Sequence, residues 1–331
     1  MAEKVLSGIR ATGRLHFGNF MGAVRNFVKF QNGQNTCLYF IADWHTLTTL
    51  ENPQEIRDNL LGIVKDYLAA GLDPERSVIY AQSSVPEIAE LSLYLGMVQP
   101  LGNLERTPTF KDMVRRFPDN INLGTISYPV LMAADILGPK STLVPVGEDQ
   151  RPNVEMARDL AQRFNHRFGK IFAMPEMMDE MVRIPGLDGT KMGKSESDNA
   201  IDINSDMETI RQRYRTRGIT DPQKIRATDP GDPYGRCLSV YPLHELITTG
   251  EREDRKIALA CQAGTLRCVD CKDRLVGSIA EVLLPFQEKR RELADKDALV
   301  RDILHEGGKK ARALISETTA QVRDAMGITI Y

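Results

Sequence analysis

The chain has 331 residues, 42% of them hydrophobic and 27% charged, a composition that excludes a disordered or fibrous protein. Its 43 Lys and Arg against 45 Asp and Glu exclude a surface coated in nonspecific nucleic-acid contacts, although a local basic face is compatible with a net charge of -2. Single cores stop growing near about 250 to 300 residues, so two domains meeting at a cleft are expected.

The amino-terminal MAEKVLSGIR lacks the apolar run of a signal peptide, and no segment approaches the roughly 20 apolar residues of a bilayer span, which points to the cytoplasm. Residues 5 to 9 (VLSGI) read as a strand, LHFGNFMGAVRNFVKFQ as one helix, and CLYFIAD (37 to 43) as a second strand with Cys37 a small core residue. The next helix is the best defined: Asn52 caps it, Pro53 suits its first turn, Ile56, Leu60, Ile63, Val64 and Tyr67 share a face, and Gly71 closes it. SVIYAQ (77 to 82) and STLVPVG (141 to 147) read as further strands. Strands separated by helices of this length predict an α/β fold, a Rossmann-like parallel sheet whose ligands sit at the carboxyl ends of the strands. From residue 203 onward the pattern is helical, which predicts a second all-helical domain. Within it RQRYRTRG (211 to 218), followed by Lys224 and Arg226, is either a solvated helix face or a local basic patch.

The segment GIRATGRLHFGNFMGA has neither dinucleotide-fold nor P-loop glycine spacing. It reads as a strand, a tight connection and a helix starting near Gly18, whose unpaired N–H groups suit an anion. His16 is placed to donate an N–H to a phosphate oxygen, and Gly18 and Gly22 allow a base or ribose to approach the backbone. Asp135 lies in an otherwise apolar helix face in SYPVLMAADILG, where a carboxylate is costly unless a donor reaches it. It is expected to accept a hydrogen bond from an N–H of a largely apolar ligand, with Tyr128 and Met132 beside it. Gly147, Glu148, Asp149 and Gln150 follow the strand LVPV and suit ribose hydroxyls or an ammonium group, while Asp43 and His45 are either a proton-transfer couple or separate hydrogen-bonding supports for the ligand.

The segment TKMGKSESD carries Lys191 and Lys194 in a glycine-containing loop, whose ammonium groups suit a polyphosphate. Phosphates held between the His16 turn and these lysines describe a site that stabilises charge on departing pyrophosphate. No protein nucleophile is then needed, since a substrate carboxylate can attack the α-phosphorus, with Mg²⁺ expected on the phosphates. Separately, Cys237, Cys261, Cys268 and Cys271 make a late set with a close CVDC pair, suited to tetrahedral Zn²⁺ or an iron-sulfur cluster, or else are free helical cysteines buried among apolar neighbours.

TGRLHFGN and KMGKS match the two signatures of the class I aminoacyl-tRNA synthetases, and SGIRATG, ADWH, YPVLMAADIL and VPVGEDQ occur in the order and spacing of its bacterial tryptophan branch. The chain resembles that family over nearly its whole length. The resemblance implies an ATP site lined by Arg10, Ala11, Thr12, Gly18 and Asn19, joined by Gly147, Glu148, Asp149, Val182, Lys191, Met192, Gly193, Lys194 and Ser195, with His16, Lys191 and Lys194 acting in catalysis. It implies an amino-acid pocket in which Asp135 accepts the indole N–H of L-tryptophan, completed by His45, Tyr128, Met132, Val144, Val146 and Gln150. The product of the first step would be tryptophanyl-adenylate, from which tryptophan passes to the 2'-hydroxyl of the terminal adenosine of tRNA(Trp).

The resemblance also implies a homodimer, a 4Fe-4S cluster on the four late cysteines in preference to zinc, and return of the last helix (298 to 331) to the catalytic domain of residues 1 to 186, leaving 187 to 297 for the lysine loop and the helical anticodon-binding domain. Two residues depart from the family pattern: Gly193 stands where a serine is usual, and Arg10 where some relatives have glutamine. A tyrosyl-tRNA synthetase or other adenylate-forming relative, and a non-catalytic tRNA-binding homologue, are the competing readings.

Overall fold

The structure, a computed structural model, describes residues 2–116, 118–119, 121–178, 182–193, 199–250 and 252–328. The chain divides into two compact units, one formed by Met1–Gly13, Arg25–Met181 and Asp295–Tyr331, the other by Arg14–Val24 and Val182–Ala294.

The first unit is built on five parallel strands: β1 (Lys4–Ile9), β2 (Thr36–Ile41), β3 (Ser77–Ala81), β4 (Leu143–Val144) and β5 (Glu176–Met177), in the spatial order β3-β2-β1-β4-β5. The main helices that follow or separate them are α1 (Arg25–Gln31), α2 (Pro53–Ala69), α3 (Glu87–Val98), α4 (Leu123–Leu137) and α5 (Arg151–Phe168); α6 (Asp297–Ala325) is added from the end of the chain. The apolar runs of β1 to β3 follow from burial on both faces of a parallel sheet. Phe27 of α1 stacks on Tyr39 of β2 at 4.5 Å between ring centroids, and the Tyr39 hydroxyl donates to the Phe27 carbonyl at 2.9 Å. Strand order reverses between β1 and β4, and the carboxyl ends there form the crevice in which such sheets bind ligands.

Local chemistry explains the element limits. The Asn52 side chain accepts from the Gln54 and Glu55 amides at 3.0 and 3.3 Å, and Gly71 takes a positive φ of 103° beyond the end of α2. The expected strand 141 to 147 pairs only at Leu143–Val144, because Pro145 has no N–H for the ladder; its carbonyl instead accepts from Ser7 Oγ at 3.1 Å. The expected single helix after β1 is three pieces: a short α-helical turn at Phe17–Asn19, a π-helical turn at Phe20–Val24, and α1. A π turn shifts the register of a helix, which a 3.6-residue pattern does not show, and the boundary between the units falls at its end.

The helix α6 packs against β3 and α3. Its adjacent Gly307 and Gly308 permit this: a Cβ on Gly307 would lie 1.8 Å from the Ile79 carbonyl oxygen, and one on Gly308 would lie 2.6 Å from Ser84 Oγ. Arg312 and Arg323 of the same helix pair with Glu87 and Glu90 of α3.

In the second unit the main helices are Met207–Arg217, Val240–Ile247, Glu253–Gln262 and Cys268–Glu292. Gln287 donates to the carbonyls of Ile203 and Ser205 at 2.7 and 2.9 Å, and Phe20 meets Phe286 edge-on at 5.0 Å. The buried Asp221 carboxylate organises the following loop, accepting from the Gln223 and Asp232 amides and from Arg236 through two bonds of 2.9 and 3.0 Å. In the basic stripe, Arg211 pairs with Glu208 and Arg215 with Asp273, both at 2.7 Å, so two of its arginines already have carboxylate partners within the unit.

Gly307→Ala is expected to destabilise the protein by about 1 to 3 kcal/mol in chemical denaturation, since the new methyl overlaps a strand carbonyl. Gly277→Ala, in a helix interior with no atom within 4 Å of the added methyl, should instead gain about 0.5 to 1 kcal/mol; equal effects of the two substitutions would contradict the packing of α6. Asp221 supplies an acid-side marker. Arg236 and the loop amides hold its pKa down to about 2, below the unfolded value of about 3.9. Its stabilisation is complete above that unfolded value and is lost as pH falls through the folded one. Asp221→Asn should therefore flatten the decline of stability on acidification over that window.

Candidate active site

The carboxyl ends of β1 to β4 carry the first group of candidate residues. Asp135 is 1% exposed on α4, with Tyr128 and Met132 at preceding positions of the same helical face. Its two carboxylate oxygens accept from Gln82 Nε2 at 2.9 and 2.8 Å. Gln82 is itself fully buried in the turn that follows β3. The Gln82 nitrogen also lies 3.0 Å from His45 Nδ1, and His45 meets the Tyr128 ring edge-to-face at 4.3 Å. Burial pushes the Asp135 pKa well above the ordinary carboxylate value, the Gln82 N–H pulls it down, and the charge of Asp43 adds to the rise. Burial lowers the His45 pKa to about 4, so its imidazole is neutral at physiological pH.

The strand β1 delivers Arg10, Ala11 and Thr12. Thr46 Oγ1 accepts from the Ala11 amide at 2.8 Å and donates to the Ala42 carbonyl at 2.8 Å, which fixes the chain as it leaves the strand. Arg10 reaches Thr48 and Thr49, and its Nε is buried with no partner among the described residues. Val144 is buried in β4, and Val146 packs partly buried against the core. Gly147 precedes the turn Glu148–Gln150, in which Glu148 is paired to Arg151 and Gln150 donates to Asp149 at 3.0 Å.

The candidate couple Asp43 and His45 does not form. Asp43 accepts instead from the Trp44 and Ser83 amides and the Ser83 hydroxyl, joining the ends of β2 and β3, while His45 turns to Gln82. Gln82 was the residue that sequence reasoning left without a role. Its signal was a polar amide closing an apolar strand at the carboxyl edge.

The second unit carries the His16 turn. His16 caps Phe17–Asn19: its Nδ1 accepts from the Asn19 amide at 3.1 Å, and Asn19 Oδ1 accepts in return from the His16 amide at 3.4 Å. An accepting Nδ1 places the ring proton of the neutral imidazole on Nε2. The anion site expected at this helix start is not open. The Phe17 amide donates to the Ile201 carbonyl at 2.7 Å, the Gly18 amide to Met192 Sδ at 3.1 Å, and the Asn19 amide to His16. The space beside Gly18 is likewise taken, since an added Cβ would meet the His16 ring at 2.9 Å and Met192 at 3.1 Å.

The lysine segment ends a hairpin in which Pro185 bridges Lys191, the Gly186 amide donates to the Thr190 carbonyl at 2.7 Å, and Gly189 has a φ of +77°. Asn199 locks this turn through Asp188 and Thr190 at 2.7 and 2.8 Å. Met192 is buried, a Cβ added to Gly193 would meet the Lys191 carbonyl oxygen at an ordinary 3.9 Å, and Val182 is exposed. Lys194 and Ser195 lie outside the described residues.

The four late cysteines line one cavity of the second unit, together with Tyr241, Ile257 and Asp221. Burial, then the neighbouring thiols, push Cys237 up to about 11 and Cys271 up to about 12, so these thiols are protonated at neutral pH. Among the described residues no set of three or more His, Cys, Asp or Glu side chains is arranged to hold a metal ion. The donor set thus suits a thiolate-bound metal in chemistry and in shared cavity, but its sulfurs are not gathered into a closed ligand shell.

No helix among the described residues is long and apolar enough to cross a membrane. Residues 2–283 match the family model for class I tRNA synthetases of the W and Y type. The tryptophan–tRNA ligase of Thermotoga maritima is 39% identical over 329 residues, covering 98% of this chain and 99% of that protein. That of Porphyromonas gingivalis is 40% identical, covering 98% and 99%. The crystal structure of the Campylobacter jejuni tryptophanyl-tRNA synthetase, complexed with ADP and tryptophan, aligns at a TM-score of 0.85 with 33% identity, covering 98% of this chain and 99% of that one. A buried acceptor at the open edge of a parallel sheet, a histidine-capped turn and a lysine hairpin thus occur in a chain that matches these proteins from end to end: it belongs to the class I aminoacyl-tRNA synthetase family, in its bacterial tryptophanyl branch.

Proposed function

We propose that this chain is an ATP-dependent tryptophan–tRNA ligase, which converts L-tryptophan and ATP to tryptophanyl-adenylate and pyrophosphate and then esterifies the 2'-hydroxyl of the terminal adenosine of tRNA(Trp). The observation that carries the reading is the Asp135 carboxylate, buried beside the carboxyl end of β3 on a helix face that also carries Tyr128 and Met132. A carboxylate so placed accepts an N–H, and an indole supplies one on an otherwise apolar body. Tyr128, Met132, Val144 and Val146 supply apolar walls, while His45 and Gln150 supply polar groups for the remainder of the amino acid.

In activation the substrate carboxylate attacks the α-phosphorus and pyrophosphate departs, so the protein's task is to orient reactants and stabilise negative charge. Arg10, Ala11, Thr12, Gly147, Glu148 and Asp149 are assigned to ATP in the first unit, and Gly18, Asn19, Val182 and Lys191 to Ser195 in the second. His16 is assigned a phosphate through its Nε2–H rather than through the helix amides, whose partners are protein atoms. Lys191 and Lys194 are assigned the charge that develops on pyrophosphate, and Mg²⁺ its neutralisation. Gly193 removes a hydroxyl from this loop but leaves both lysines.

The four cysteines are assigned a 4Fe-4S cluster, with Zn²⁺ the alternative; when bound, such a group would cross-link the two helices and the loop that carry its ligands. Binding requires thiolates, so it must release the protons that burial holds on Cys237 and Cys271. The working form is assigned as a cytoplasmic homodimer.

Tryptophan-dependent ATP–pyrophosphate exchange, followed by charging of tRNA(Trp), tests the activity; preference for tyrosine in the exchange would reject the tryptophan assignment, and tRNA binding without exchange would reject an enzyme. Lys194→Ala should slow pre-steady-state adenylate formation by about tenfold or more while changing tryptophan affinity little, because the lysine acts on charge formed in the transition state. Iron, sulfide and zinc analysis of anaerobically purified protein tests the cysteine assignment, and one zinc without sulfide per chain would replace the cluster.

A further inference from the structure

We infer that Gln82 is a positioning residue for tryptophan selection: one of its amide N–H groups holds Asp135 in place as an acceptor, and the other sets His45 in the Nε2–H tautomer. The inference rests on the reading of Asp135 as the indole acceptor. Its first step is geometric. Gln82 Nε2 faces both Asp135 oxygens, at 2.9 and 2.8 Å, and an amide nitrogen only donates, so the carboxyl group accepts from it. That nitrogen carries two hydrogens. One is shared by the carboxylate oxygens and the other is directed to His45 Nδ1 at 3.0 Å.

A proton on Nδ1 would point at an amide hydrogen across this contact. The alternative, in which Nδ1–H donates to Gln82 Oε1, spans 3.3 Å and is the poorer bond. The same oxygen accepts weakly from the His45 backbone amide at 3.4 Å, a contact common to both arrangements. His45 therefore keeps its proton on Nε2, a buried atom that makes no hydrogen bond of good geometry among the described residues, although the Tyr128 backbone acts on the imidazole. A buried N–H so weakly satisfied gains from an acceptor that a bound ligand brings.

The glutamine thus presents two complementary groups to the pocket, a fixed acceptor on Asp135 and a fixed donor on His45. Neither would hold its role alone. Without the amide, the carboxylate is a buried charge short of donors, and the imidazole is free to change tautomer. The charged and titratable groups that face this set are Arg10 at the end of β1, Asp43 and His45 after β2, Tyr80 on β3, Tyr128 and Asp135 on α4, and Asp149 in the turn after Gly147.

Three measurements test this. Nitrogen NMR of the ligand-free enzyme labelled in histidine should show an unprotonated His45 Nδ1; a protonated Nδ1 would overturn the tautomer assignment whether or not any variant folds. Gln82→Leu should raise the KM for tryptophan in pyrophosphate exchange by about tenfold to a hundredfold, with a much smaller change in kcat. Gln82→Glu should be impaired most at high pH, where two carboxylates oppose each other, and its KM relative to wild type should recover as pH falls and one shared proton replaces the amide hydrogen. A packing role would give no such recovery, so a ratio independent of pH rejects the proposal. Asp135→Ala separates the two levels: retained selectivity for tryptophan over tyrosine would remove the indole reading and this inference with it, whereas lost selectivity together with a pH-independent Gln82→Glu ratio would remove the role of Gln82 alone.

Discussion

A carboxylate inside an apolar helix face is the constraint around which the first unit is arranged. Asp135 has apolar neighbours on its own helix, and burial drives its pKa well upward. An uncompensated charge in that place would be neutralised or hydrated. The compensation comes from Gln82, delivered by the carboxyl end of β3, and Gln82 is in turn adjacent to His45, delivered by the carboxyl end of β2. The parallel sheet is therefore more than a scaffold for the pocket. Because its strands all finish on one edge, three residues distant in sequence can form a hydrogen-bonded set with no side chain longer than a glutamine.

The two units meet their polar requirements by different means. At the sheet edge, capacity is left over: His45 Nε2 and Arg10 Nε are buried and make no hydrogen bond of good geometry among the described residues. At the His16 turn the backbone is already satisfied by a reciprocal cap, a carbonyl and a thioether. A turn with its amides occupied is a rigid mount for the imidazole, and the thioether partner is on Met192, inside the lysine segment. Sulfur is a weak acceptor, so this link between the histidine turn and the lysine segment holds its amide less strongly than the carbonyl holds that of Phe17.

Much of this was readable before any coordinates. The apolar runs of the first strands, the cap at Asn52 and the punctuation at Gly71 are local signals, and local signals determine where such elements begin and end. The isolation of Asp135 in a hydrophobic pattern was equally visible. What the pattern concealed depended on contacts far apart in sequence. Nothing near Gln82 specifies an aspartate 53 residues later as its partner. The π turn at Phe20–Val24 keeps a helical composition while changing the helical period. Occupation of the Gly18 amide needed Met192, 174 residues away, and the glycine pair in α6 became intelligible only once Ile79 lay beneath it. The cysteine spacing suggests a metal-like set; the four side chains line one cavity, but among the described residues no three or more ligating side chains are arranged for a metal ion.

Selection of an indole does not follow from hydrogen bonding by itself. A phenol hydroxyl also donates, and a carboxylate that could swing toward it would accept tyrosine as readily. Fixing the acceptor changes the question from chemistry to position. On the proposed reading, with both oxygens held by one amide, Asp135 would serve only a donor that arrives at its depth, and Tyr128 and Met132 on the same helix would bound the space in which the ring lies. A ligand whose donor falls short leaves a desolvated charge without its second partner, and that penalty exceeds the value of the bond gained by the correct ligand. Discrimination at such a site is therefore set by the stiffness of the carboxylate as much as by its charge, and stiffness is what a buried amide with two hydrogens and two partners supplies.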